Sequence, residues 1–334
     1  VGRDDSRRTQ DQGHLHVQGE VMNEGFLGIL RLVSVAIQNV GFAVVVGALL
    51  SGQWLARGES TWQERVGRRL IVTLRLASIV SLLASTLSFW AHCALMSDST
   101  LSEAGPAVWS MLAGTGFGHA WLVGAFLTLG IAVLSFVRSG NEARFPFAIW
   151  VALAGVALAR SNGGHPVDAG LFSLPVWADW LHLLAISAWV GLVLVTTYVV
   201  MPRLLDAPGN ERLTSASFVQ SLSDTSTYAL IVLFSTGAYN GWRGVNVPAN
   251  LLGSTYGQVL MLKLALVLVA AALGGHNRFF EMPTLLSTLK NPSKAVPSGP
   301  LRRFGMVLHV ESLVLVGVLM VAAVLVSSPL PGTT

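Results

Sequence analysis

Charge is scarce in this chain and cysteine is almost absent. Only 11% of its residues are Asp, Glu, Lys or Arg, and 52% are apolar. A soluble domain of 334 residues would carry about twice that share of charge to cover its surface. The shortage excludes an ordinary soluble enzyme. The one cysteine, Cys93, excludes an internal disulfide and any Cys-x-x-Cys redox or zinc motif. There is no ATP-binding motif and no paired nucleophile and base. The net charge of +4 does not suggest nucleic acid. In so apolar a chain the basic residues report topology instead.

Long apolar stretches are abundant. Eight reach the roughly 20 residues that cross a bilayer: 26–50, 70–96, 117–138, 145–163, 177–201, 226–245, 256–276 and 303–327. The fold class is therefore all-α, a polytopic membrane bundle of eight transmembrane helices. Residues 105–116 read as a short interfacial helix ahead of the third span, or as its first turns. Basic residues set the orientation. Arg57, Arg65, Arg68, Arg69, Arg138, Arg144, Arg203, Arg212, Arg278, Lys290, Lys294, Arg302 and Arg303 all follow odd-numbered spans. Only Arg160 and Arg243 lie in the intervening loops. Both termini are then outside. The longest connections, 204–224 and 281–301, are cytoplasmic. The second holds Pro283, Pro292, Pro297 and Pro300 and is expected to be irregular. Residues 1–21 are polar, include the pair His14 and His16, and are expected to be disordered. The membrane domain runs over 22–331.

Six of the eight histidines lie in or beside apolar stretches. His92, His119, His165 and His182 fall on the outer side, on four different spans or their ends. Intramembrane ligating side chains are costly and mark function, so copper, haem iron and protons are the natural candidates. Met96 stands one turn after His92 on the same face, a nitrogen–thioether pair suited to Cu(I). Cys93 is a further soft donor. Asp179, three residues before His182, would orient its imidazole or cap the helix. His276 and His309 belong to the inner half. Lys263 and Glu311, on adjacent spans near the midplane, are expected to form an ion pair. Arg31 and Arg75 can snorkel. Trp54, Trp62, Trp90, Trp109, Trp177, Trp180 and Trp242 form an interfacial belt. Gly237 with Gly241, and Gly114, Gly116 and Gly118, suit close helix packing.

Four segments resemble the copper resistance protein D (CopD) family: WADWLHLLAISAWVGLVL (177–194), FSTGAYNGWRGV (234–245), STYGQVLMLKLALVLVAAALGGHNR (254–278) and RRFGMVLHVESLVLVGVLMVAAVLVSSPLP (302–331). GTGFGHAWL (114–122) and SNGGHP (161–166) fit as well. The resemblance implies a bacterial inner-membrane protein that handles copper, as Cu(I) or Cu(II), commonly for import. It also implies a periplasmic copper-binding partner of the copper resistance C type. On this reading copper meets the outer cluster and passes toward His309, Glu311 and His276, so the chain is a transporter or permease rather than an enzyme. The alternative is a b-type cytochrome, an oxidoreductase, with haem b held between paired histidines. His119 with His182, or His92 with His165, would hold an outer haem, and His276 with His309 an inner one.

Overall fold

Nearly every described residue is helical, and no strand occurs among them. The computed structural model describes residues 2–55, 60–137, 147–245, 247–291 and 298–328, with side chains from residue 25 onward except at 165, 166, 205 and 298. Helix α1 runs Gly2–Leu55, and its stretch Gly25–Leu55 is apolar enough to cross a membrane. The side chains of the polar segment 1–21, His14 and His16 included, lie outside the described ones. So do Arg57, Arg138, Arg144 and Lys294.

Helix α2 (Thr61–Met96) starts at Ser60, whose hydroxyl accepts the Gln63 amide at 3.2 Å and so satisfies one orphan donor of the first turn. Residues 105–116 divide between two helices. Helix α3 (Gly105–Gly114) stops at an extended Thr115, and α4 (Gly116–Val137) begins at once. The Thr115 hydroxyl donates to the Met111 carbonyl at 2.8 Å and accepts the Gly118 amide at 2.9 Å, so one side chain ends one helix and caps the next. A Cβ on Gly118 would run into the Met111 carbonyl. Of the three glycines clustered here, Gly118 is the one this corner requires.

Helix α5 (Phe147–Ser161) is short. Helix α6 (Leu174–Val195) continues through a π turn, Thr196–Val200, into α7 (Met201–Leu205). Helix α8 spans Arg212–Val245. After the small α9 (Asn250–Gly253), α10 (Thr255–His276) passes through a second π turn, Asn277–Glu281, into α11 (Met282–Leu289). Helix α12 is Ser298–Ser327. Where described, the two connections expected to be long are thus largely helical: 281–301, expected to be irregular, is helix over Met282–Leu289, and Pro292 and Pro297 lie outside the described residues. Pro202 and Pro283 each stand second in the helix after a π turn. The N–H of Met201 bonds Thr196, and that of Met282 bonds Asn277, five residues back. The widened turn takes up the clash a proline ring makes with the carbonyl four residues earlier.

Among the described residues six helices are long and apolar enough to span a bilayer, which makes this a helical membrane bundle. The expected spans 145–163 and 226–245 correspond to the short α5 and to the second half of α8, whose first half is polar. Helix α6 is the hub, packed against α1, α5, α8 and α12. Helix α10 flanks the bundle, against α12 and α8. Helices α1 and α6 approach until their backbones touch. A Cβ on Gly191 would collide with the Ala43 carbonyl, and one on Gly47 with the backbone of Gly191.

Candidate functional site

A half-buried polar cluster forms where α5, α6, α8 and α10 converge. Helix α6 contributes Asp179 and His182, one turn apart on one face. The His182 Nδ1 lies 3.0 Å from the Thr236 hydroxyl of α8. That hydroxyl has a single proton, already donated to the Val232 carbonyl at 2.7 Å. With the proton on Nδ1, Thr236 accepts it beside the Leu233 carbonyl, and Nε2 keeps its lone pair. A Cβ on Gly237 would stand 3.2 Å from His182 Cε1, so this glycine makes room for the ring. Gly237 serves a side chain here rather than a helix–helix crossing.

Lys263 of α10 lies close enough to Asp179 and His182 to act on both electrostatically. Arg160, in the last turn of α5, acts on Asp179 but not on His182. Its guanidinium donates to Asn39 Oδ1 of α1 and lies 5.6 Å over the Phe42 ring. Ser161 is buried beside Asp179, without a hydrogen bond of good geometry. Lys263 and Arg160 thus both approach Asp179, with the His182 imidazole one turn away. The group that fixes the His182 ring is Thr236; Asp179 answers Lys263 and Arg160.

The expected Lys263–Glu311 pair does not form. Glu311 is only 2% exposed and accepts the Trp189 indole N–H at 3.0 Å. It is level with Gly274, where a Cβ would meet its Oε1 at 3.1 Å. From Lys263 to Gly274 α10 rises about 16 Å, beyond any ion pair. The antiparallel register of α10 and α12 opposes the acid to a glycine and leaves the lysine to α6.

The other histidines are dispersed. His92 meets the Phe117 ring edge-on at 5.1 Å, has Arg31 nearby, and has a buried Nδ1 without a hydrogen-bond partner. Met96 is 65% exposed, whereas Cys93 is fully buried. His119 is exposed on α4. His165 opens a 3-10 turn, His165–Ala169, and its side chain is outside the described ones. His276 stacks on Phe280 at 5.1 Å and stands 3.9 Å from Glu281, while His309 meets Tyr198 at 5.6 Å. His276 and His309 turn to different partners, and the exposed His119 does not face His182. Among the described residues no three of His, Cys, Asp and Glu gather as metal donors.

Several of these residues escaped the reading of the sequence. Arg160 had a signal: it is one of two basic residues on the side that positive charge avoids. Thr236, Asn39 and Trp189 had none, because their roles depend on which helices become neighbours. Some belt tryptophans also tie elements together. Trp62 donates to the Arg203 carbonyl at 3.1 Å, Trp90 to Leu101 at 2.8 Å and Trp180 to Ala154 at 2.9 Å.

Comparison with known proteins identifies two regions. Residues 216–325 match the family described as Copper resistance protein D, and residues 22–166 match Copper resistance protein D-like, N-terminal domain. The chain is 25% identical over 265 residues to Inner membrane protein YebZ of Escherichia coli (strain K12), covering 77% of this chain and 87% of that protein. It is 29% identical over 261 residues to Copper resistance protein D of Pseudomonas syringae pv. tomato, covering 73% and 79%. It is 25% identical over 166 residues to Copper transport protein CutJ of Bacillus subtilis (strain 168), covering 48% of this chain and 30% of that protein. No solved structure matches.

Proposed function

The chain belongs to the copper resistance protein D family, and from that premise we propose that it imports copper across a bacterial inner membrane. Its His182 end faces the periplasm, with both termini on that side, and all eight apolar segments cross the bilayer. Copper is the cargo. A periplasmic copper carrier of the copper resistance C type delivers it to the outer end of the bundle. His92 with Met96, and then His119 and His165, are the landing donors there. Cys93, fully buried, is left to packing.

One observation carries the reading: the His182 imidazole is held 3.0 Å from the Thr236 hydroxyl beside Asp179 and Lys263, and with Nδ1 donating there Nε2 would be the metal donor. A cation arriving there competes with Lys263 for Asp179. Copper entry and release of the Asp179–Lys263 contact are one event. Farther in, Glu311 is a buried carboxylate with no ion pair among the described residues, and it is the next stop toward His309 and His276.

The test is copper content of cells expressing the protein, read by elemental analysis at matched membrane levels. His182→Ala is expected to lower accumulation at least tenfold. Thr236→Val, which frees the imidazole to take the other tautomer, is expected to lower it by about tenfold. Glu311→Gln is expected to reduce it as well. Wild-type accumulation in His182→Ala would overturn the route.

A further inference from the structure

At the end of the bundle away from His182, the first turns of α2 and the short α7 enclose an open pocket of about 310 Å³. It is lined by Arg65, Arg68, Arg69, Val72 and Arg203. The fold builds this pocket firmly. The Trp62 indole donates to the Arg203 carbonyl at 3.1 Å, fastening α7 to α2. One residue on, the buried Gln63 amide donates to the buried Glu211 carboxylate at 3.1 Å, fixing the same helix end to the start of α8. Arg68 stands 3.8 Å from Glu64. Among the described residues Arg65, Arg69 and Arg203 have no acidic partner at all. Four guanidinium groups held around one hollow repel one another, and an anion there would relieve them.

The pocket's upper rim defines the anion further. Val72 is 48% exposed, and above it Leu76, Val80 and Leu83 are also exposed at helical spacing along α2. An arginine hollow therefore runs without interruption into an aliphatic stripe that climbs into the apolar part of the helix. Free phosphate would use the hollow and leave the stripe unused. A phosphodiester carrying acyl chains uses both. We propose that this pocket is a specific site for an anionic glycerophospholipid, its phosphate held by Arg65, Arg69 and Arg203 and one acyl chain laid along Val72, Leu76, Val80 and Leu83. The site is independent of the cargo and of the polar cluster at the other end.

The experiment uses the full chain purified in detergent and stripped of lipid. Phosphatidylglycerol, phosphatidylcholine and inorganic phosphate are added separately, and native mass spectrometry and thermal unfolding are recorded. One phosphatidylglycerol is expected to remain bound and to raise the melting temperature, with phosphatidylcholine at least tenfold weaker. The Arg65→Gln, Arg69→Gln, Arg203→Gln variant is expected to lose that preference. A Lys290→Gln, Arg302→Gln variant, which removes exposed charge outside the pocket, is expected to keep it. If the triple variant does not fold, Arg69→Gln alone is expected to weaken phosphatidylglycerol several-fold. Equal binding of both lipids, equal loss in both sets of variants, or the same stabilisation by inorganic phosphate would each overturn the proposal.

Discussion

Helices α6 and α10 are built alike and used differently. Each runs for 22 residues, breaks into a π turn, and resumes with Met-Pro-x-Leu-Leu, at Met201 in one and Met282 in the other. Helix α6 is the buried hub and carries Asp179, His182 and Trp189. Helix α10 is largely exposed on the flank, gives the site Lys263, and farther along makes room for Glu311 at Gly274. The difference is not in hydropathy, since both windows are similarly apolar. In a bilayer lipid tails are as apolar as a neighbouring helix, so apolar residues do not tell a buried face from an exposed one. Small residues and polar anchors do. Helix α6 has Gly191 at its crossing with α1, and α10 has no such backbone crossing among the described residues.

The sharpest way to break this contrast is a single methyl group. Gly191→Ala puts a Cβ into the Ala43 carbonyl. It is expected to cost about 3 kcal/mol or more, because backbone cannot yield as a side chain can. Gly275→Ala on α10 meets nothing within 4 Å and is expected to stabilise by about 0.5–1 kcal/mol through helix propensity. Thermal unfolding of the two variants in one detergent checks both signs. Equal destabilisation would mean that α10 is packed as tightly as α6.

Next in size is the tie between the two helices. Asp179→Asn leaves Lys263 and Arg160 without their carboxylate and is expected to cost about 3 kcal/mol. Adding Lys263→Met should recover a large part of that cost. Lys263→Met combined with Glu311→Gln should be additive, because Lys263 lies about 16 Å along α10 from Gly274, the residue that faces Glu311. A double-mutant cycle in unfolding reads all three.

The smallest effect concerns the π turn of α10, tethered to α8 by Arg278, which bonds Asp224 at 3.0 Å and Ser223 at 2.7 Å. The Gln220 amide, and after it Arg278, hold the Asp224 carboxyl below the usual carboxylate range. A lowered folded-state pKa means the stabilisation is complete above the unfolded value near 3.9 and is lost as pH falls through the folded value. The contact is partly exposed, so it is worth under about 1 kcal/mol. Hydrogen exchange across Asn277–Glu281 is expected to quicken below pH 4 in the wild type. In Asp224→Asn it should be fast at all pH values.

These contrasts also mark what could be read from residues alone. The helical membrane class emerged from apolar length, and six helices among the described residues are long and apolar enough to be spans where eight were expected. The family emerged from ordered motifs such as the Asp-x-x-His of α6 and the Lys and Asn-Arg of α10. The pairing of Lys263 did not. Depth put it near Glu311, but the register between α10 and α12 decides contacts, and no local pattern encodes register. The outer histidines were grouped by depth too, yet His92 packs on α4 while His182 packs on α8. Depth fixes one coordinate, and a site needs three. The π turns had a visible trace in the repeated Met-Pro-x-Leu-Leu, which hydropathy alone passes over.

That repeated break has a consequence for where the protein can live. Twenty-two residues of α-helix rise about 33 Å, close to the roughly 30 Å hydrocarbon thickness of a bilayer. Both α6 and α10 are cut to this length by the same π turn and proline, so the bundle carries two matched gauges. A membrane several ångströms thicker would draw the Met-Pro segments into its acyl region. A thinner one would push them into water. Lipid composition would thereby select the membrane in which this chain is at ease, through geometry and without any address signal.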